Sequence, residues 1–207
     1  VKREHIEDDQ IGIYGPMFDD VGRDTAQFPD ELVFPLLLSG FTEKCYDGQP
    51  FFDDEHPVGD GVVTNMQAGA GAAWFLLDVS RALKPLIYQE RRAFDFTALD
   101  DAKDANVFLR NEYVYGVDGR ANAGFGFWQM AFGSKADLSQ ANYAAARQAM
   151  QSFKSDEGKP LGVNPRLLVV GPSLEGAARE LLTAETINGT TNKWRGTAEL
   201  LVCPWLT

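Results

Sequence analysis

Residues 164–202 read NPRLLVVGPSLEGAARELLTAETINGTTNKWRGTAELLV, and they carry the clearest secondary-structure pattern of the sequence. The segment 166–170 is short, apolar and bounded by proline and glycine, which predicts a buried strand. From Leu174 onwards, apolar residues recur at helical spacing, which predicts a helix with Ser173 as its N-cap. Residues 200–202 are apolar again and predict a second strand. The stretch therefore predicts a strand, a helix and a second strand, a unit that the rest of the chain must cover.

The junction between the first strand and the helix, GPSLEG, looks like the nucleophile elbow of a serine hydrolase. That elbow needs a glycine two residues after the serine, where this sequence has Glu175, and a histidine later in the chain. Both histidines of the chain, His5 and His56, precede Ser173. We therefore predict a structural role for Ser173 and keep a hydrolase that uses it as an alternative.

Composition and charge exclude several classes of protein. Of the 207 residues, 44% are hydrophobic and 24% are charged, which is ordinary for a globular protein. The formal net charge of −11 argues against nucleic-acid recognition, which rests on neutralising phosphates with lysine and arginine. Two cysteines without a Cys-x-x-Cys motif predict no disulfide framework and a reducing compartment. No apolar run approaches the length of a membrane span, so we expect no membrane partner.

Two longer helices are predicted from apolar periodicity. Residues 16–39 form the first pattern, with Gly40 as its stop, and Pro35 inside the pattern should kink it. We predict one long broken helix there, or two helices end to end. Ser139 is the predicted N-cap of a second helix that runs to Lys154.

The best candidate for a metal site is the run Asp53, Asp54, Glu55 and His56. Consecutive side chains of an extended segment point to opposite faces, so at most two of these four converge. We predict a charged loop without a metal, and a metal at Asp53 and His56 stays part of the enzyme alternative. The sequence also lacks a phosphate-binding fingerprint, so we predict no cofactor-binding residue and no catalytic residue.

Short apolar segments predict the strands of a twisted sheet. The candidates are 74–77, 86–88, 94–99 and 107–109. The segment 112–132 alternates aromatic residues with glycine, and we predict that it adds strands to the core. Asp47 and Gly48 predict a tight turn. Residues 59–71 are rich in glycine and alanine, which predicts a flexible loop.

Five blocks of the sequence resemble those of one known family, in the same order and with the same spacing. The blocks are CYDGQPFFDDEHPV at 45–58, WFLLDVSRALKPLIYQER at 74–91, EYVYGVDGRANAGFGFWQMAFGS at 112–134, PLGVNPRLLVVGPSLEGAARELL at 160–182 and AELLVCPWL at 198–206. Through them the chain resembles the major head (capsid) protein of Mu-like phages and prophages. The resemblance extends over nearly the whole chain, which makes it much more specific than one short motif.

The resemblance implies a fold. It is the α+β fold of HK97-type tailed-phage capsid proteins, in which a spine helix lies on a long twisted sheet. Residues 1–135 would form the peripheral-type part, with 16–39 as the spine helix, and residues 136–207 would form the axial α/β part. Members of the family carry an N-terminal arm and an extended loop before the spine helix, and we expect this chain to lack both. We therefore expect the 207-residue chain not to form closed shells.

The resemblance also implies a structural function: a major capsid subunit that self-assembles into the icosahedral shell around phage DNA. The implied partners are other copies of the subunit and the scaffold, portal and protease proteins of the head, with DNA contacted only non-specifically. The subunit would be assembled in the cytoplasm of the bacterial host and would reside in the virion. Its acidity fits this role, since a basic inner wall would retain DNA by its phosphates. The alternatives are an encapsulin-like shell subunit, which shares the fold but encloses protein cargo, and the hydrolase.

Overall fold

A computed structural model describes residues 1–206 and shows a mixed α+β protein. Its helices are α1 (Arg3–Glu7), α2 (Tyr14–Ser39), α3 (Ala105–Arg110), α4 (Gln140–Gln151) and α5 (Glu175–Thr183). Its strands are β1 (His56–Val58), β2 (Gly61–Val63), β3 (Met66–Gln67), β4 (Trp74–Leu77), β5 (Leu86–Leu99), β6 (Val114–Phe125), β7 (Ala131–Ser134), β8 (Leu167–Val170), β9 (Thr186–Ile187), β10 (Thr190–Thr191) and β11 (Glu199–Val202). No helix within residues 1–206 combines the length and the hydropathy that crossing a membrane requires.

The chain divides into two compact units. Residues 1–31 and 88–122 form the first, which we call the ribbon unit because most of the paired strands β5 and β6 lie in it. Residues 32–87 and the chain from Ala123 onwards form the second, which we call the sheet unit.

A five-stranded sheet in the order β11-β8-β4-β7-β3 lies at the centre of the sheet unit. Strands β8 and β11 are parallel and are connected through α5, which confirms the predicted strand–helix–strand unit. Strand β4 is antiparallel to both of its neighbours, and β3 is parallel to β7. Every residue of β4 and β7 is buried, as expected for strands with neighbours on both sides.

Aromatic and aliphatic side chains fill the core of the sheet unit on both faces of β4. Trp74, Phe75 and Leu76 are each 0% exposed, although consecutive residues of a strand point to opposite faces. The predicted apolar stripe of α4 is confirmed, because Tyr143 and Met150 are also fully buried. The sheet is therefore covered on both faces.

The two predicted N-caps have different outcomes. The Ser139 Oγ accepts a hydrogen bond from the Asn142 backbone nitrogen at 3.2 Å, so this cap is confirmed, and the helix ends at Gln151 rather than at residue 154. The prediction for Ser173 is wrong. Residues Pro172–Leu174 form a 3₁₀ turn, so the serine lies inside that turn and α5 begins only at Glu175, without a side-chain cap.

Helix α2 is continuous for 26 residues and begins at Tyr14, two residues before the predicted start. It includes Pro29 and Pro35, and the prediction of a helix broken at Pro35 is therefore wrong. Proline removes one backbone donor and crowds the preceding turn. The packing of the flanking apolar residues outweighs this local cost, since Leu37 is fully buried and Phe34 packs against the core of the sheet unit.

The paired strands β5 and β6 differ most from expectation. The strand predicted at 94–99 is confirmed as part of the 14-residue β5, but neither strand contains a buried residue. The prediction that 112–132 supplies core strands is therefore wrong for β6, whose alternating glycine and polar residues leave no continuous apolar face. A Cβ on Gly119 would lie 2.5 Å from the ring of Phe94, so this glycine leaves room for the aromatic ring to approach the backbone of β6.

Two further predicted segments need correction. Residues 107–109 belong to α3 rather than to a strand, since this short apolar run has helical hydrogen bonds on both sides. The flexible loop predicted at 59–71 contains β2, β3 and the fully buried Asn65. Glycine there permits close approach rather than mobility, because a Cβ on Gly69 would lie 2.1 Å from the Lys135 carbonyl oxygen.

The buried position of β8 leads to a test with a matched control. Leu168→Ala removes a fully buried side chain and leaves a cavity, so we expect the free energy of unfolding to fall by about 2–5 kcal/mol. Leu201→Ala on the paired strand β11 removes a side chain that is 38% exposed and should cost about 1 kcal/mol or less. Urea denaturation of both variants measures the difference. Equal losses would contradict the assigned core.

Candidate functional site

A tight turn brings together three side chains that could carry chemistry. The backbone nitrogen of Cys45 donates to the Gln49 carbonyl at 2.8 Å, and Lys44 and Pro50 form an isolated β-bridge. These contacts confirm the turn predicted at Asp47 and Gly48. Three side chains meet at this turn, and one possible ligand atom from each lies within 4.8 Å of the other two. They belong to Cys45, Asp47 and His56. This is the one group of three or more such residues within 1–206 that could hold a metal ion. We call it the Cys45–Asp47–His56 cluster.

Asp47 is the centre of this cluster. Its Oδ1 accepts hydrogen bonds from the Cys45 thiol at 3.1 Å and from the Gln49 backbone nitrogen at 3.1 Å. Its Oδ2 lies 2.7 Å from His56 Nδ1, and because a carboxylate only accepts, Nδ1 carries the hydrogen. His56 is fully buried, and its ring stacks on Trp128 with centroids 4.0 Å apart. Its Nε2 has no hydrogen-bond partner among the described residues.

The environment makes the thiol inert and the carboxylate acidic. Burial, reinforced by the hydrogen bond to Asp47, raises the pKa of Cys45 to about 11. Burial opposes ionisation of Asp47, but the hydrogen bonds from Cys45 and His56 outweigh it, so the pKa of Asp47 lies below its ordinary value. The thiol also donates to the carboxylate rather than to the imidazole. The cluster therefore lacks the thiolate and the adjacent base that a cysteine nucleophile requires.

The residues singled out in the sequence do not assemble into a site. Asp53 Oδ1 accepts from the Glu55 backbone nitrogen at 2.9 Å, which is a local turn contact, while His56 pairs with Asp47 instead. Ser173 is exposed, and the buried His56 is already engaged by Asp47. The structure therefore does not bring Asp53 together with His56, or His56 to Ser173.

Sequence reasoning missed Cys45 and Asp47 as the partners of His56. The sequence does contain a signal for this pairing. A tight turn at Asp47 and Gly48 reverses the chain, which brings residues before the turn near the segment that contains His56. Side chains at the consecutive positions 53–56 diverge, so the partners of His56 come from the preceding turn instead.

The surface carries a second notable feature. Ile11, Phe108 and Leu109 are the most exposed of the large hydrophobic side chains within 1–206, at 86%, 81% and 74%. Single exposed apolar residues are common, but here two adjacent ones, Phe108 and Leu109, lie on one short helix.

The chain matches known proteins over nearly its whole length. A family model described as Mu-like prophage major head subunit gpT matches residues 1–206. The chain is 44% identical over 221 residues to the major capsid protein of Escherichia phage Mu, covering all of this chain and 72% of that protein. It is also 44% identical over 197 residues to the Mu-like prophage FluMu major head subunit of Haemophilus influenzae, covering 89% of this chain and 64% of that protein.

Solved structures of phage heads match the whole chain. The subunit in the procapsid of bacteriophage JBD30 gives a TM-score of 0.86 at 44% identity, over 73% of that subunit. The JBD30 capsid gives 0.90 at 30% identity, over 72% of its subunit. A third structure, the JBD30 capsid decorated with minor capsid protein trimers, gives 0.85 at 30% identity over 72% of its subunit.

These matches confirm the resemblance drawn from the five sequence blocks. They identify a structural protein rather than an enzyme, which decides against the hydrolase alternative that used Ser173 or a metal at Asp53 and His56. They also favour a phage head over an encapsulin-like compartment. The chain belongs to the Mu-like prophage major head subunit family, whose members form the capsid of the phage head.

Proposed function

We propose that the chain has the HK97-type capsid fold, with α2 as its spine helix and β5 and β6 as its long sheet. Two observations support this. Helix α2 is the longest helix within 1–206, and in the ribbon unit its Phe18 and Phe28 contact Tyr115 and Phe94, with ring centroids 4.6 Å and 5.3 Å apart. Edge-to-face aromatic pairs at these distances hold a helix on a ribbon that has no buried residue of its own.

The division into a peripheral-type part at 1–135 and an axial-type part at 136–207 is also a proposal. The parallel pair β8 and β11, with α4 and α5, supports an α/β part in the second region. Strands β3, β4 and β7 precede residue 136 but share the sheet with β8. We therefore extend the proposed axial-type part to include these three strands, because hydrogen-bonded neighbours in one sheet fold together.

We propose that the subunit self-assembles into a closed icosahedral shell around phage DNA. The expectation that these 207 residues do not themselves close a shell stays a prediction. The observation that carries the proposal is the match of all the described residues to subunits of the JBD30 procapsid and capsid. The acidic chain contacts DNA only non-specifically, and its further partners are the scaffold, portal and protease proteins of the head. The JBD30 capsid is decorated with minor capsid protein trimers, and we propose a partner of that class here as well.

We propose that the Cys45–Asp47–His56 cluster is a structural element without a metal, a cofactor or a catalytic role. The two oxygens of Asp47 accept hydrogen bonds from the Cys45 thiol, from His56 Nδ1 and from the backbone nitrogen of Gln49. These three bonds connect the turn at 45–50 to the buried ring of His56. The stacking of this ring on Trp128 connects the turn to the core of the sheet unit. In a shell subunit, such a buried polar network specifies one conformation of a loop.

Self-association should depend on salt. A subunit of net charge −11 repels its copies, and raising the ionic strength from about 0.1 M to about 1 M shortens the Debye length from about 10 Å to about 3 Å. We expect the mean mass measured by size-exclusion chromatography with light scattering to rise with salt, and electron microscopy to show the particles formed. Association that weakens as salt is added would contradict the proposal.

Asp47→Asn should destabilise the fold, by about 1–3 kcal/mol at pH 7. The carboxylate of Asp47 accepts three hydrogen bonds through its two oxygens, whereas an asparagine amide has only one acceptor oxygen. At least one of the three donors therefore loses its acceptor. Because the pKa of Asp47 is lowered on folding, its contribution is full above the unfolded pKa of about 3.9 and disappears as pH falls through the folded value. Urea denaturation between pH 7 and pH 3 measures both effects.

The matched control is Asp54→Asn, at an exposed carboxylate in the neighbouring segment. We expect it to change the free energy of unfolding by less than about 0.5 kcal/mol. Equal effects of the two substitutions would show that the cluster does not stabilise the turn.

Zinc should not bind to the cluster with stoichiometric occupancy. Zinc would have to displace the proton of a thiol whose pKa is raised to about 11 and break its hydrogen bond to Asp47, because the thiolate is the form that ligates metals. We expect elemental analysis of the purified chain to find far less than one zinc per chain. We also expect added zinc to leave the melting temperature unchanged. A rise in melting temperature that is lost in Cys45→Ser would overturn the structural assignment.

A further inference from the structure

The adjacent side chains of Phe108 and Leu109 project from α3 into solvent, at 81% and 74% exposure. We call this pair the apolar knob. The helix that carries it is anchored, because Val107 is 5% exposed and the Asn106 amide donates to the carbonyls of Leu99 at 2.9 Å and Glu112 at 2.7 Å. The knob is thus a fixed feature of the surface rather than part of a loose loop.

The same ribbon unit contains an apolar groove of about 250 Å³. Its walls include Phe18, Val21, Phe96, Tyr113 and Tyr115. The aromatic walls support one another, since the rings of Phe18 and Tyr115 are 4.6 Å apart and those of Phe96 and Tyr115 are 6.1 Å apart. The groove is open, because Val21 is 41% and Phe96 is 52% exposed. We call it the aromatic groove.

The charges beside the two surfaces are complementary. Arg110 follows the knob directly and forms no ion pair with another residue of the described chain. Asp100 lies at the groove, where it interacts with the hydroxyl of Tyr115. A knob that enters the groove would bring the guanidinium of Arg110 toward this carboxylate.

We infer that the apolar knob of one copy of this chain enters the aromatic groove of a second copy. This rests on the proposed function, in which copies of the subunit contact one another in a shell. A copy does not fill its own groove, since Phe108 is 81% exposed. The two contacting surfaces differ, so the contact is heterologous and each copy can both give a knob and receive one. Such contacts continue into rings or open chains and do not stop at a pair.

Cysteine cross-linking tests the contact directly. The double variant Phe108→Cys with Val21→Cys places one thiol in the knob and one in the groove. We expect oxidation to produce a ladder of disulfide-linked species beyond the dimer, at least tenfold more abundant than in either single variant. The single variants control for the native cysteines. Efficient dimers of Phe108→Cys alone would show that knobs meet knobs, which overturns the inference.

A second measurement uses substitutions at exposed positions. Phe108→Ser should weaken self-association at least tenfold in sedimentation velocity, whereas Ile11→Ser, at a residue that is 86% exposed, should change it less than twofold. Circular dichroism confirms that both variants are folded. Equal association of Phe108→Ser and the unsubstituted chain would overturn the inference. It would also be overturned if the unsubstituted chain stayed monomeric at millimolar concentration and the double variant did not cross-link there.

The outcomes also separate this contact from the proposed function. Particles of the unsubstituted chain in electron microscopy, without cross-linking of the double variant, reject the knob-and-groove contact alone. Cross-linking without closed particles supports the contact and agrees with the prediction that these 207 residues do not themselves close a shell.

Discussion

Strand β4 has neighbours on both sides and side chains buried on both faces, and the sheet unit depends on this constraint. Its four residues pair with β7 on one side and with β8 on the other. A strand with no face toward water can be stable only if every backbone group is paired and every side chain is covered. The aromatic residues before β4, the helix α4 and the β8–α5–β11 unit all supply that cover.

Buried polar groups determine where the chain leaves this core. Asp78 follows β4 directly and is 0% exposed, and it accepts hydrogen bonds from the Ser80 backbone at 3.0 Å and the Asn164 backbone at 2.8 Å. Arg147 on α4 donates to the carbonyls of Pro165 at 2.7 Å and Thr197 at 3.1 Å, just before β8 and β11. Each of these groups is costly to bury without partners, so each fixes one path of the chain.

The elements that the sequence predicted well are those with local signals. The strand–helix–strand unit, the cap at Ser139 and the turn at Asp47 each follow from residues within a few positions of one another. Two other predictions failed because contacts beyond the local sequence decide the structure. Asn65 gives order to a glycine-rich segment through the Phe51 carbonyl at 2.8 Å, and His56 finds its partner across a turn rather than among its neighbours. Neither pairing leaves a periodicity that could be read from the sequence.

The protected thiol of Cys45 has a consequence for the life of a phage head. A virion leaves the reducing cytoplasm and persists in aerated surroundings, where exposed thiolates oxidise or join neighbouring subunits at random. Burial and the hydrogen bond to Asp47 raise the pKa of Cys45 to about 11, so the group stays a thiol near neutral pH. Cys203 is 2% exposed and sterically shielded. In a shell built from many copies of this subunit, neither cysteine therefore offers an exposed thiolate through which neighbouring subunits could become linked by disulfides.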